Sequence, residues 1–210
     1  VIVLRGAAST HTDRLRREHF NAFREEVIQI NDITSGTASM NIPGQPLRFS
    51  VSDLSRTDLT GELKREVALG NIDDGYISTF GLKLLAGRNF EQPIRNDSAR
   101  TIITESVVQI LGFDSAEAAV GEHLRFGNTI YTIKGVVNDF HHEGLKKTVK
   151  PVIFIHRHPF EFGFYSFKIQ GDIGTSLTHL RTLWSKHYPN DPFDYFFSDE
   201  YFNCLLYTSP

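Results

Sequence analysis

The chain has 210 residues, with 22 Lys and Arg against 25 Asp and Glu, which gives a formal net charge of −3. Its apolar share of 40% excludes a disordered chain, and the acidic excess argues against partners bound through phosphates, namely nucleic acids and anionic membranes. The single cysteine, Cys204, excludes an internal disulfide and a cysteine-rich metal site.

No apolar run approaches the roughly 18 residues that a membrane-spanning helix needs. The sequence lacks an initiator Met and begins within a predicted strand, so we expect it to be a piece of a longer protein. Residues 204–210 end abruptly, and we set them apart as a tail that is not assumed to be native.

Periodicity predicts a strand-helix-strand unit in the N-terminal part of the chain. Residues 1–4 are predicted to be a strand, and Thr10 or Thr12 is the candidate cap of the helix that follows. The apolar stripe of this helix comprises Phe20, Phe23, Val27 and Ile30. Its charged face, which we interpret as solvated, comprises Arg14, Arg17, Glu18, Arg24 and Glu25. A turn at 41–44 and a strand at 47–51 come next.

The centre of the chain is predicted to contain many strands with short helices between them. Asp73 and Asp74 are candidate caps for a helix that contains Tyr76, Ile77 and Phe80. The polar segments 53–65 and 92–100 predict loops. The other predicted elements are strands at 67–71, 101–104, 124–126, 130–140 and 152–155, and helices at 105–111 and 115–120.

A second strand-helix-strand unit is predicted in the C-terminal part of the chain, with strands at 164–169 and 193–197. Its helix ends before Pro189, and residues 198–200 are candidate caps for a terminal helix. The apolar stripe of the long helix comprises Ile173, Leu177, Leu180 and Trp184. The two outer units are expected to pack together, because each has one helix with a single stripe to bury, and the fold class is α+β.

The most suggestive cluster of reactive side chains comprises Asp139, His141, His142 and Glu143, with His156 and His158 downstream. Imidazole and carboxylate groups bind zinc or transfer protons. However, neighbouring histidines on a strand point to opposite faces, and neither His-Glu-x-x-His nor His-x-x-Glu-His occurs. A loop at the end of a strand explains the same residues, so we name no metal ligands.

Other catalytic motifs do not occur in the sequence. It has no glycine-rich phosphate-binding motif and no Gly-x-Ser-x-Gly nucleophile motif. We therefore name no catalytic or cofactor-binding residue, and we expect a domain that is not an enzyme and needs no cofactor.

Residues 73–90 resemble a characteristic segment of MacB-like periplasmic core domains, the extracytoplasmic part of FtsX-like ABC transporter permeases. The matching positions include Asp73, Tyr76, Phe80-Gly81 and Gly87-Arg88-Asn89-Phe90. Four later segments match the family in the same order: Ile103-Thr104-Glu105-Ser106 with Leu111-Gly112, Ala119-Val120-Gly121-Glu122, Gly135–His141 and Pro192–Phe202. Thr104 stands where the family usually has Asn, and Ser198 where it usually has Leu.

The resemblance implies a porter-like α+β subdomain made from residues 1–89 and 161–203, with an inserted β-rich, sabre-like subdomain at 90–160. It places the domain on the periplasmic side of the bacterial inner membrane, between two membrane helices. The implied partners are those helices, a cytoplasmic ATPase and, outside the cytoplasm, a second permease copy, a lipoprotein or another periplasmic protein. The implied function is to couple movement of the membrane helices to the handling of a substrate or partner.

Two rival functions stay open: a metal-dependent hydrolase that uses Asp139, His141, His142 and Glu143, and a small-ligand sensor that uses a cleft between subdomains.

A coupling domain is expected to have both chain ends at one end of the porter-like subdomain and the insert at the other. Asp139 is expected to form a local hydrogen-bonded turn. Trp184 is expected to be a core anchor.

Overall fold

The structure is a computed structural model that describes residues 1–7, 13–58, 66–91, 99–140, 149–156, 163–199 and 201, with the backbone alone at 13–17. The helices are α1 (Asp13–Val27), α2 (Tyr76–Phe80), α3 (Glu105–Ile110), α4 (Ala116–Ala119) and α5 (Ile173–His187). The strands are β1 (Ile2–Arg5), β2 (Ile33–Ser39), β3 (Phe49–Val51), β4 (Ser55–Arg56), β5 (Val67–Asn71), β6 (Leu84–Gly87), β7 (Arg100–Thr104), β8 (His123–Phe126), β9 (Thr129–Val137), β10 (Val152–Ile155), β11 (Phe164–Ile169) and β12 (Tyr195–Phe197). This content confirms the α+β class. None of the helices in the described ranges is long and apolar enough to cross a bilayer.

The first sheet is built from both ends of the chain, with four strands in the order β12-β1-β11-β2. All three strand pairs are antiparallel. With α1 between β1 and β2, and α5 between β11 and β12, the sheet has the split β-α-β arrangement of ferredoxin-like domains. The predicted packing of the two outer units into one pair of layers is therefore confirmed.

Both long helices pack on one face of the first sheet, as their apolar stripes predict. The stripe residues that are almost fully buried are Phe20, Phe23, Val27, Leu180 and Trp184. The prediction for Ile173 is wrong, because its side chain is 49% exposed. Ile173 is the first residue of α5 and is not among the residues packed in the core of the first sheet. The side chain of Asp172 caps α5 by accepting from the Thr175 N–H at 2.6 Å.

The strand registers separate the two ends of the first sheet. Ile2 pairs with Phe197, so the start of β1 and the end of β12 lie together at one end. Phe164 pairs with both Arg5 and Ser39, so β2 ends and β11 begins at the opposite end. The chain therefore leaves the first sheet and returns to it at the end far from Val1, as predicted for a coupling domain.

The second sheet has eight strands, in the order β3-β5-β10-β7-β9-β8-β4 with β6 paired to β9. It is mixed, because β10 runs parallel to β5 and β7 parallel to β9. On one face lie α3 and α4, and on the other lies α2, so both faces are covered. This explains why all four residues of β10 are apolar and buried.

Sheet membership does not follow the predicted boundary at residues 89 and 90. β3, β5 and β6 belong to the second sheet, whereas residues up to 89 were assigned to the porter-like subdomain. Periodicity predicts a strand but not the strand it pairs with, so the boundary could not be read from these segments. The predicted loop at 53–65 also contains the two-residue strand β4, which is too short for a periodic pattern.

Candidate functional site

The two sheets meet at the free edge of β2, where the segment 71–75 runs alongside the strand. Ser39 and Ile72 form an isolated antiparallel bridge, and the Met40 N–H donates to the carbonyl oxygen of Asn71 at 3.4 Å. An edge strand presents unpaired backbone groups that need a partner. The segment that links β5 to α2 provides that partner, and we call this contact the junction.

Asp73 is the central residue of the junction, and its carboxylate accepts three hydrogen bonds. Oδ1 accepts from the Thr37 hydroxyl and, at 2.9 Å, from the Gly75 N–H, and Oδ2 accepts from the Ala38 N–H at 2.8 Å. Thr37 and Ala38 belong to β2, whereas Asp73 and Gly75 precede α2. Burial raises the pKa of Asp73 to about 6, and the hydrogen bonds from Thr37 and Ala38 oppose this effect without cancelling it.

Arg24 extends the junction to α1. Its Nη1 lies 3.2 Å from Asp74 Oδ1 and 3.6 Å from Asp73 Oδ2, and its side chain is only 17% exposed. Interpreting Arg24 as part of a solvated face was therefore wrong. Helical spacing identifies the face opposite the apolar stripe, but it does not show that Asp73 and Asp74 come within reach of Arg24.

Gly75 allows the closest backbone approach in the junction. A Cβ atom at Gly75 would lie 2.1 Å from the carbonyl oxygen of Gly36 in β2, which only glycine avoids. Gly75 is also the N-cap residue of α2, which has no side-chain cap. The predicted capping by Asp73 and Asp74 is therefore wrong, because the Asp73 carboxylate is used to hold β2 and the turn before the helix.

Asp139 lies just after β9 and holds the start of α3. Its Oδ1 accepts from the Ser106 N–H at 3.1 Å, and its Oδ2 accepts from the Ser106 hydroxyl. Thr104, the N-cap residue of α3, makes no side-chain cap bond. The local turn predicted for Asp139 involves the backbone after residue 140, which lies outside the described residues, so it stays a prediction. The described partner, Ser106, is 33 residues away in sequence and meets Asp139 through the pairing of β7 with β9.

The described part of the chain contains no group of three or more side chains able to hold a metal ion. His141, His142, Glu143 and His158 lie outside the described residues, as do Thr10, Thr12 and Cys204. His156 stacks on the ring of Phe90 with a centroid distance of 4.7 Å.

The junction is a contact between the two sheets and α1. It holds a buried carboxylate between two sheets through hydrogen bonds and an arginine. One of its members, Asp73, could be identified from the sequence, because it opens the segment 73–90. Thr37 and Arg24 were missed, since neither lies in a motif and their contacts with Asp73 span 36 and 49 residues.

The chain matches a known family over most of its length. The model of the MacB-like periplasmic core domain matches residues 7–179. The macrolide export ATP-binding/permease protein MacB of Bartonella henselae is 28% identical to the chain over 97 residues. That stretch covers 46% of this chain and 15% of the MacB protein, so the chain spans only a small part of that relative.

Two solved structures share the fold. The periplasmic region of MacB from Actinobacillus actinomycetemcomitans has a TM-score of 0.62 at 15% identity, covering 100% of this chain and 94% of that one. The extracellular domain of the ABC-type transporter YknZ from Gram-positive bacteria has a TM-score of 0.55 at 13% identity, covering 93% of this chain and 97% of that one. At these identities the likeness concerns the fold.

Proposed function

The chain belongs to the MacB-like periplasmic core domain family, and from this we propose that it transmits the movement of membrane helices to the periplasmic side of an ABC transporter permease. It does so without catalysing a reaction and with no catalytic, metal or cofactor-binding residue. The partners proposed are the flanking membrane helices, a cytoplasmic ATPase and one periplasmic partner, which is a second permease copy, a lipoprotein or another protein.

The observation that carries this proposal is the position of the chain ends. Ile2 and Phe197 are paired neighbours at one end of the first sheet, and the chain enters the second sheet from the opposite end. Two membrane helices joined to neighbouring strands would move the first sheet directly. The second sheet would then carry the displacement away from the bilayer.

The junction supports transmission because it fixes the second sheet to the first. The Asp73 carboxylate binds two groups of β2, and the Ser39–Ile72 bridge continues the contact along the backbone. The porter-like subdomain, predicted at residues 1–89 and 161–203, and the sabre-like insert, predicted at residues 90–160, stay predictions. A first sheet built from both ends of the chain supports a porter-like subdomain made from both ends.

A linker insertion tests the proposal in the intact permease. A flexible Gly-Ser segment of about six residues, inserted immediately before Val1, absorbs displacement that a short connection would pass on. We expect transport to fall strongly while ATP hydrolysis continues. The control is the same insertion between Gly127 and Asn128, in the exposed turn between β8 and β9, where transport should persist. Unchanged transport with the linker before Val1 would contradict transmission.

Elemental analysis tests the proposal that the domain catalyses no reaction. The metal-dependent hydrolase that uses Asp139, His141, His142 and Glu143 requires a tightly held metal ion. We expect the purified chain to hold no stoichiometric zinc by elemental analysis. One zinc per chain, lost on replacing His141 and His142 with Ala, would contradict a non-enzymatic domain.

A further inference from the structure

The face of the first sheet that α1 and α5 leave open carries a groove. Two adjoining cavities of about 560 and 430 Å³, which share Arg5, Phe164 and Tyr201 in their linings, make up this groove. We call it the outer groove. Each volume lies within the range of sites that bind small molecules, about 300–1,000 Å³.

Strand register explains why aromatic rings line this groove. Val3 pairs with Phe196, and Arg5 pairs with Phe164. Paired residues share a face, so Phe164 and Phe196 point away from the helix-covered core that contains Ile2 and Leu4.

The rings form a connected apolar wall. Phe164 and Phe196 meet edge to face with their centroids 6.1 Å apart, and Phe196 lies 5.7 Å from Tyr201. Phe49 lines the groove from the β3 side with 52% of its surface exposed. Exposed aromatic surface of this kind marks a site for an apolar ligand.

Two arginines add positive charge to the wall. Arg5 lies 6.0 Å from the ring centroid of Phe196 and pairs with Asp194 at 2.7 Å, and both side chains of that pair are more than half exposed. An exposed pair contributes little and is readily exchanged for a competing anion. Arg48 is exposed, and within the described ranges no carboxylate pairs with it.

We propose that the outer groove binds an amphipathic anion. Its acyl or aromatic body lies along Phe49, Phe164 and Phe196, and its carboxylate or phosphate head meets the guanidinium groups of Arg5 and Arg48. A guanidinium forms paired hydrogen bonds with either head group. The proposal goes beyond the coupling role and does not depend on it. Binding is measured on the chain by itself, so the result is the same whether or not the domain transmits movement.

Calorimetric titration of the 210-residue chain tests the proposal with three probes below their micelle concentrations: dodecanoate, dodecyl phosphate and dodecyltrimethylammonium. We expect the better of the two anions to bind about tenfold more tightly than the cation of the same chain length. The tighter anion identifies the head group. Absence of saturable binding by both anions, or equal binding of the cation, would overturn the proposal.

Matched variants locate the site. Arg48→Gln and Phe49→Ser should each weaken binding of the anion several-fold. The controls are Arg125→Gln and Ile130→Ser, which change an exposed arginine and a 46% exposed apolar residue on the second sheet, and they should bind like the wild type. Equal losses in the control variants would show adsorption elsewhere and overturn the assignment to the outer groove.

Discussion

The carbonyl oxygen of Val1 accepts a hydrogen bond from the backbone N–H of Ser198 at 2.9 Å. This bond extends the pairing of β1 with β12 by one step beyond Phe197. It fixes the distance between the first residue of the chain and the residue that follows the last strand. A displacement applied at either point is therefore shared by both strands.

Replacing Ser198 with Pro tests this bond, because proline has no backbone N–H to donate. We expect the free energy of unfolding to fall by at least about 1 kcal/mol, measured by urea denaturation. Ser198→Ala is the matched control, since it keeps the N–H and should have a small effect. Equal stability of the two variants would mean that the bond to Val1 contributes nothing.

Asp73 should make stability depend on pH. The pKa of Asp73 is raised to about 6 in the folded chain from an ordinary value of 3.8, so the folded state holds the proton more tightly than the unfolded state. Its contribution to stability is complete below about pH 4 and is lost as the pH rises through about 6, by up to about 3 kcal/mol.

Urea denaturation of the wild type and Asp73→Asn between about pH 4 and pH 7.5 measures this contribution. The free energy of unfolding of the wild type should fall relative to that of Asp73→Asn across the lower part of this range and then run parallel to it. Parallel profiles throughout would show that Asp73 keeps its ordinary pKa in the junction.

Gly75→Ala should weaken the junction by steric conflict. The new Cβ would lie 2.1 Å from the Gly36 carbonyl oxygen, so β2 and α2 must move apart at a cost of about 1–3 kcal/mol. The control is Gly174→Ala in the first turn of α5, where the nearest atom is 3.6 Å away and alanine favours the helix. A fully stable Gly75→Ala chain would contradict the close approach.

Trp184→Ala should cost about 3–5 kcal/mol, because the side chain is 1% exposed in the core between α5 and the first sheet. Its Nε1 also donates to the Asp191 carbonyl oxygen at 3.0 Å. Ile173→Ala on the same helix is the control, and it should change stability little because Ile173 is half exposed. Thermal unfolding followed by circular dichroism distinguishes the two.

The parts of the fold that the sequence predicted are those governed by local periodicity. Phe20, Phe23 and Trp184 identify helices that bury one face, and the run 152–155 identifies a strand buried on both faces. Strand pairing is not local, so the assignment of β3, β5 and β6 to the second sheet could not be derived from their own residues.

The junction was harder to predict for the same reason. An aspartate before a helix is most often a cap, and a charged residue opposite an apolar stripe is most often solvated. Asp73 and Arg24 depart from both rules, because folding brings β2, α1 and α2 to one point. Only the resemblance of residues 73–90 to a known family drew attention to that segment.

The central claim is that the domain moves as one body with the membrane helices, and distances between spin labels in the intact permease test it most directly. Labels replace Ile28, at the end of α1, and Ile130, on the second sheet, with Cys204 changed to Ser; both isoleucines are exposed. We predict that ATP binding leaves the distance from Ile28 to Ile130 and the distance from Ile130 to a label on a flanking membrane helix unchanged, and alters the distance from Ile130 to a label on the cytoplasmic ATPase. An ATP-dependent change in the distance from Ile28 to Ile130, or in the distance from Ile130 to the flanking helix, would contradict the account.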